Sequence, residues 1–281
     1  MHLPGVLTRH DPTGQPAPVL FDSPHSGVMY PDDFKPIAPM ELLRTGEDAF
    51  VHELFGAGPE KGAILIEAHF PRVYIDPNRA STDIDPDLLI EAWPEPLNPT
   101  EKSRLGLGLI RRLAVPGVPV HGKRLTVAEV RSRIDRFYGP YHQAVGGAYD
   151  ELHRRFGKVW HINCHSMKSV GNAMATDVGA RRPDFVLGDR DGKTCDPKFM
   201  TLVRDVLAGM GYSVAINNPY KGLELIMRYS DPGAGRHALQ IEINRALYMD
   251  QERIVRSPGF EKLKGNLSSL IDAVVDFARR Q

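Results

Sequence analysis

The chain has 281 residues, is 42% hydrophobic, and balances 35 Lys+Arg against 35 Asp+Glu, for a formal net charge of zero. The length and apolar content suit one large core, with residues 1–281 as one α/β unit. The charge balance argues against the basic field of a nucleic-acid or anionic-membrane binder. Two cysteines, Cys164 and Cys195, are too few for a disulfide-built secreted scaffold. No apolar run reaches the roughly 18 residues that span a bilayer, and Met1 to Gly5 lacks a charged-then-apolar targeting pattern. The expectation is a cytoplasmic protein, a monomer or small homo-oligomer, with neither nucleic acid nor membrane as partner.

In chain order, Val19-Leu20-Phe21 reads as a buried strand stopped at Pro24, where a backbone donor is lost and helix is disfavoured. Apolar residues at helical spacing predict one helix over Leu42 to Phe55. Ala63 to Ile66 and Val73 to Ile75 are β-branched and aromatic, and predict strands. Asp76 to Thr100, rich in Pro and Asp, predicts a long surface excursion of the kind that carries function. Thr126 to Phe156 predicts a long amphipathic helix broken near Gly139-Pro140, and Val159 to Asn163 a strand delivering Cys164-His165-Ser166. Asp196 and Pro197 open a helix as N-cap and first helical residue. Ser213 to Ile216, Leu225 to Met227 and Ala238 to Ile241 read as further strands, and Gly259 to Arg280 as a closing helix. Strands alternating with helices predict an α/β sandwich.

Three segments end such strands: Asp22 to Gly27, Asn163 to Met167, and Gln240 to Arg245. Ligands and chemistry gather at strand ends in open α/β sheets. His25 and His165 sit there, and imidazoles with a carboxylate around one open position suit a hydrolytic zinc site. Each histidine taken alone has a simpler role as a hydrogen-bonded interior residue. Asp22 is placed to orient His25. His161 shares a strand face with Asn163 and His165 and is read as structural. Glu47 and Asp48 are both candidates for the acidic ligand, or else complement a helix dipole; Asp48 is preferred, and His52, one turn on, ranks lower. Glu242 stands in an apolar run, where a carboxylate is either paired or functional, and suits a general base. Arg79, Arg228, Arg236 and Arg245 are candidate anion binders, and Arg79 with Arg228 lies at element ends. Cys164 points away from His165 and reads as an inert core residue. Gly106-Leu107-Gly108 is no dinucleotide fingerprint, and no serine-hydrolase elbow is present.

Taken together, Ser23 to Gly27, Tyr74 to Arg79, His165 to Met167, Pro183 to Gly188, and Gln240-Ile241-Glu242 through Leu247-Tyr248-Met249 resemble the N-formylglutamate amidohydrolase family. The resemblance implies a three-layer sandwich in the manner of zinc carboxypeptidases, with a mixed central sheet flanked by helices. It implies one Zn2+ per chain on His25, Asp48 and His165, Glu242 as general base, and Arg79, Arg228 and Asn78 at the substrate. The implied reaction is hydrolysis of N-formyl-L-glutamate to formate and glutamate in histidine degradation. Two departures lie on the implied substrate side. Gly222 to Tyr229 lacks the Thr and His of the family's pattern while keeping Arg228, and Pro77 replaces a usual Leu. They leave open another N-acyl amino acid or a short peptide end as substrate. A non-catalytic binding protein that keeps the fold is the alternative of a different class.

Overall fold

The computed structural model describes residues 1–281. Its centre is an eight-stranded mixed sheet built from β1 (His2–Leu3), β2 (Leu7–His10), β3 (Val19–Ser23), β4 (Ile64–Ala68), β7 (Val159–Met167), β8 (Phe185–Gly188), β9 (Val214–Ile216) and β10 (Arg236–Asn244), in the order β1-β2-β4-β3-β7-β10-β8-β9. Two small ribbons, β5 (Leu113–Val115) with β6 (Val118–Pro119) and β11 (Met249–Asp250) with β12 (Val255–Arg256), lie outside it. The neighbours β4, β3, β7 and β10 run parallel. Their carboxyl ends therefore converge on one edge, where a parallel sheet presents its loops to a ligand.

The alternation of side chains explains the layers. Val19, Phe21, Trp160, Ile162, Cys164, Leu239, Ile241 and Ile243 face one core. That core is closed by α2 (Val51–Leu54), α6 (Pro197–Gly209) and α8 (Phe260–Arg280). Leu20, Ile64, Ile66 and Val159 face a second core under α4 (Val127–Arg133) and α5 (Gly139–Phe156). Polar residues on β7 and β10, namely His161, Asn163, His165, Gln240 and Glu242, share this second face and are all buried. The expected three-layer α/β arrangement is what forms. No helix is long and apolar enough to cross a membrane.

Several local readings change. The helix expected over Leu42 to Phe55 is two short ones, α1 (Met40–Arg44) and α2. Thr45 Oγ1 bonds back to the Leu42 carbonyl, and Phe50 takes a left-handed φ of 66°, so the chain turns between them and carries Glu47 and Asp48. Val73 to Ile75 is a turn rather than a strand, although Tyr74 and Ile75 are fully buried; Pro71 and Pro77 bracket it and limit ladder bonding. The expected strand at Leu225 to Met227 is helix α7 (Glu224–Tyr229), because a short apolar run does not distinguish the two periods. The 76–100 excursion is not all surface: Ile84, Leu88 and Leu89 enter the second core. Helix α3 (Glu101–Arg104) follows it. The break near Gly139-Pro140 is a π-helical turn, Ile134–Tyr138, between α4 and α5. The Asp196 cap of α6 forms as expected, its side chain accepting from Lys198 N at 2.7 Å.

Candidate active site

His25, Asp48 and His165 come together at the carboxyl edge of the sheet, their ligand atoms all within 4.8 Å of one another. Each is at most 2% exposed. His25 is carried by the loop after β3. Gly27 permits this, since a Cβ there would lie 2.3 Å from the Phe70 carbonyl oxygen; the His25 loop thus presses on the segment leaving β4. Asp48 N donates to the His25 carbonyl at 2.9 Å, and Ser26 Oγ donates to the Asp48 carbonyl at 3.0 Å. The loop and the α1–α2 turn are therefore one unit.

Each imidazole is fixed from behind. His25 Nε2 lies 2.7 Å from Asp76 Oδ1, and Asp76 Oδ2 accepts from Arg72 Nε and Nη2 at 3.1 and 2.7 Å. His25 Nδ1 is buried without a hydrogen bond and stands 3.4 Å from Asp48 Oδ2. His165 Nε2 lies 2.6 Å from Asn163 Oδ1 and 3.1 Å from Asn78 Nδ2, while its Nδ1 faces Asp48 Oδ2 at 3.0 Å. Donation from Nε2 to Asp76 and Asn163 leaves both Nδ1 lone pairs pointing at the Asp48 carboxylate. Two imidazole nitrogens and a carboxylate oxygen with ordered outer partners are a donor set that suits a divalent metal, and the orphaned His25 Nδ1 is the atom such an ion would satisfy.

The electrostatics agree with the geometry. Burial alone would raise the Asp48 carboxyl, but His165, His25 and Arg245 hold it well below the usual range. Arg245 Nη2 donates to Asp48 Oδ1 at 2.9 Å, and its Nε to Ser166 Oγ at 3.0 Å. Glu242 moves the other way: burial first, then the charge of Asp48, push its carboxyl well up. It pairs in register with His165 across β7 and β10 and accepts from Gln240 Nε2 at 2.9 Å. Neighbouring buried carboxyls driven in opposite directions are typical of a functional site.

Of the expected residues, His25, Asp48, His165, Glu242, Asn78 and Arg79 line one cleft of about 630 Å³. Glu47 instead accepts from Tyr30 Oη at 2.8 Å and Arg44 Nε at 3.3 Å, away from the histidines. Arg228 does not line the cleft. Its side chain is 45% exposed and pairs with Glu224 at 3.5 Å; one helical turn back, that residue is a nearer partner than the cleft. Asp22 does not orient His25. It accepts from His161 Nε2 at 2.6 Å, Asn163 Nδ2 at 2.8 Å and Tyr141 Oη at 2.8 Å. His161 is therefore structural, as expected, and the network supports Asn163 behind His165. His52 stands apart, 3.9 Å from Glu67. Cys164 is buried in the opposite core, its thiol pushed well up by burial. Asp76, Arg72, Asn163 and Arg111 carry no role in the sequence reading as a ligand's partner or cleft cation, although Asp76 and Asn163 stand inside segments it singles out. Arg245, read as an anion binder, is bound to Asp48 instead.

Comparison with known proteins fits this arrangement. The model of the N-formylglutamate amidohydrolase family matches residues 17–249. N-formylglutamate deformylase of Pseudomonas aeruginosa is 26% identical over 270 residues, 94% of this chain and 95% of that protein. The Pseudomonas putida enzyme of the same name is 28% identical over 239 residues, 83% and 82% of the two chains. The crystal structure of N-formylglutamate amidohydrolase from Ralstonia eutropha JMP134 has a TM-score of 0.93 at 44% identity, covering 98% of this chain and 99% of that one. An Agrobacterium tumefaciens gene product shares the fold, with a TM-score of 0.71 at 18% identity over 98% of this chain and 96% of that one. The chain belongs to the N-formylglutamate amidohydrolase family.

Proposed function

We propose that the protein is a metal-dependent amidohydrolase that cleaves N-formyl-L-glutamate to formate and L-glutamate, with residues 1–281 acting as one catalytic unit. The observation that carries this is the His25–Asp48–His165 cluster with Glu242 in register beside it, in a chain of this family. His25 Nδ1, His165 Nδ1 and Asp48 would hold one zinc ion. Such an ion supplies Lewis acidity, lowering the pKa of a water and polarising the amide carbonyl.

The protein's own groups do the rest. Glu242 takes a proton from the attacking water and returns it to the leaving nitrogen. Burial and the charge of Asp48 raise its carboxyl, which favours keeping the proton between the two steps. Asp76 and Asn163 keep both imidazoles in one tautomer. Arg245 holds Asp48 ionised. Arg79, 7% exposed in the cleft wall, orients a substrate carboxylate and so lowers the entropic part of the barrier. Asn78 bridges the site, its Nδ2 near His165 and its Oδ1 accepting from Leu225 N at 3.0 Å.

The departure at Gly222 to Tyr229 motivates a different acyl amino acid; Gly222 and Leu223 line the cleft, whereas Glu224 to Tyr229 do not. The family match favours the glutamyl substrate. The test is formate release from N-formyl-L-glutamate by purified protein, before and after chelation and zinc restoration. Release that stops with chelation and returns with zinc supports reaction and metal together; release untouched by complete metal removal overturns the metal assignment.

A further inference from the structure

Six arginines line the cleft; Arg190 has neither an ion pair nor a buried unpartnered nitrogen, and the other five fall into two groups. Arg72 is bound to Asp76, Arg245 to Asp48 and Arg182 to Asp177, each at 2.7 to 2.9 Å, so their charges are compensated inside the protein. Arg79 and Arg111 are different. Arg79 comes no nearer than 3.6 Å to Asp83, and its buried Nε has no partner. Arg111 has no ion pair at all, and its Nε is likewise buried and unpartnered.

Arg111 is also closely placed. Its Nη1 would lie 3.0 Å from a Cβ on Gly46, so the guanidinium rests on the turn that carries Asp48. Lys168 lines the same wall. Burial, then the charges of Arg72 and Arg79, push Arg111 down to about 9. A guanidinium keeps its proton in proteins. The fall therefore expresses a cation whose desolvation the charges of Asp76 and Asp48 offset only in part and no direct ion pair relieves. Such a charge is destabilising until an anion meets it.

We propose that Arg111, with Lys168 beside it, forms a second carboxylate subsite, so that Arg79 and Arg111 each hold one carboxylate of a dianionic N-acyl amino acid. Arg228, outside the cleft, is not that second cation. The inference rests on the hydrolase reading above and adds its specificity. A monocarboxylate substrate leaves one buried guanidinium without its anion, so the site selects for two charges and against one.

The test uses zinc-loaded wild type and Arg111→Met with three substrates: N-formyl-L-glutamate, N-formyl-L-glutamine and N-formyl-γ-aminobutyrate. The last two each lack one carboxylate. The variant should lose about 10- to 100-fold in kcat/KM on the dianion, the range of one charge-assisted hydrogen-bonded contact. It should lose a similar factor on only one of the two monoanions. Equal losses on all three, or none, would overturn the assignment. Calorimetric titration with glutarate and with butyrate, neither of which is hydrolysed, gives a second readout. Glutarate affinity should fall in the variant by more than butyrate affinity; equal changes would also overturn the subsite. If wild type hydrolyses none of the three substrates, the function reading fails, and the glutarate titration still decides the subsite.

Discussion

Glu242 and His165 occupy the same register position on adjacent parallel strands and face the same side of the sheet. Strand pairing, rather than a flexible loop, thus sets Glu242 beside the cluster. Glu242→Gln preserves shape and the Gln240 contact but removes the proton acceptor. Turnover should fall by about 10²- to 10⁴-fold, the usual worth of a placed general base, with stoichiometric zinc retained by elemental analysis. A variant that loses its metal as well would make Glu242 a ligand and not a base.

Asp76 should control metal affinity without touching the ion. It holds His25 Nε2 at 2.7 Å and is itself held by Arg72. Burial opposes its ionisation, but Arg72 and His25 keep the carboxyl well below its ordinary range. Asp76→Ala frees the ring and should weaken zinc binding by about 10- to 100-fold, read by competition with a chelator of known affinity. Unchanged affinity would show that the loop alone fixes His25.

Much of this site was legible in sequence because its residues end strands. His25, His165 and Glu242 each follow or interrupt an apolar run, and that position alone marks them. Asp48 was harder, since Gly46-Glu47-Asp48 offers two adjacent acids, and only the turn between α1 and α2 decides which faces the histidines. Asp76 and Arg111 were not assigned as partners, because the contacts that define them join segments far apart in the chain. Arg228 illustrates the converse case. A strand at Leu225 to Met227 would put it at an element end, whereas the helix aligns it with Glu224.

That contrast gives a paired prediction. Arg79→Ala should reduce kcat/KM by about 10- to 100-fold, as loss of a charge-assisted contact to substrate. Arg228→Ala should leave kcat/KM within about threefold, since an exposed i,i+4 ion pair is worth little. Steady-state kinetics on both variants decides it; a large loss with Arg228→Ala would restore that residue to the substrate side.

Behind the cluster, Asp22 links His161, Asn163 and Tyr141 in one buried network. Burial would raise its carboxyl, but the charge and hydrogen bond of His161, with the bonds from Asn163 and Tyr141, leave it below the usual value. A depressed carboxyl binds fewer protons folded than unfolded. Its contribution to stability is therefore complete above the unfolded value of about 3.9 and is lost as pH falls through the folded one. Asp22→Asn cannot titrate. It should be less stable than wild type at pH 7, yet its stability should fall less steeply between about pH 5 and pH 3. Urea unfolding at several pH values measures both. Because Asn163 holds His165, the same variant should also bind zinc more weakly. Parallel acid limbs in wild type and variant would mean that other carboxylates carry the acid sensitivity and that Asp22 acts only as a fixed hydrogen-bond acceptor.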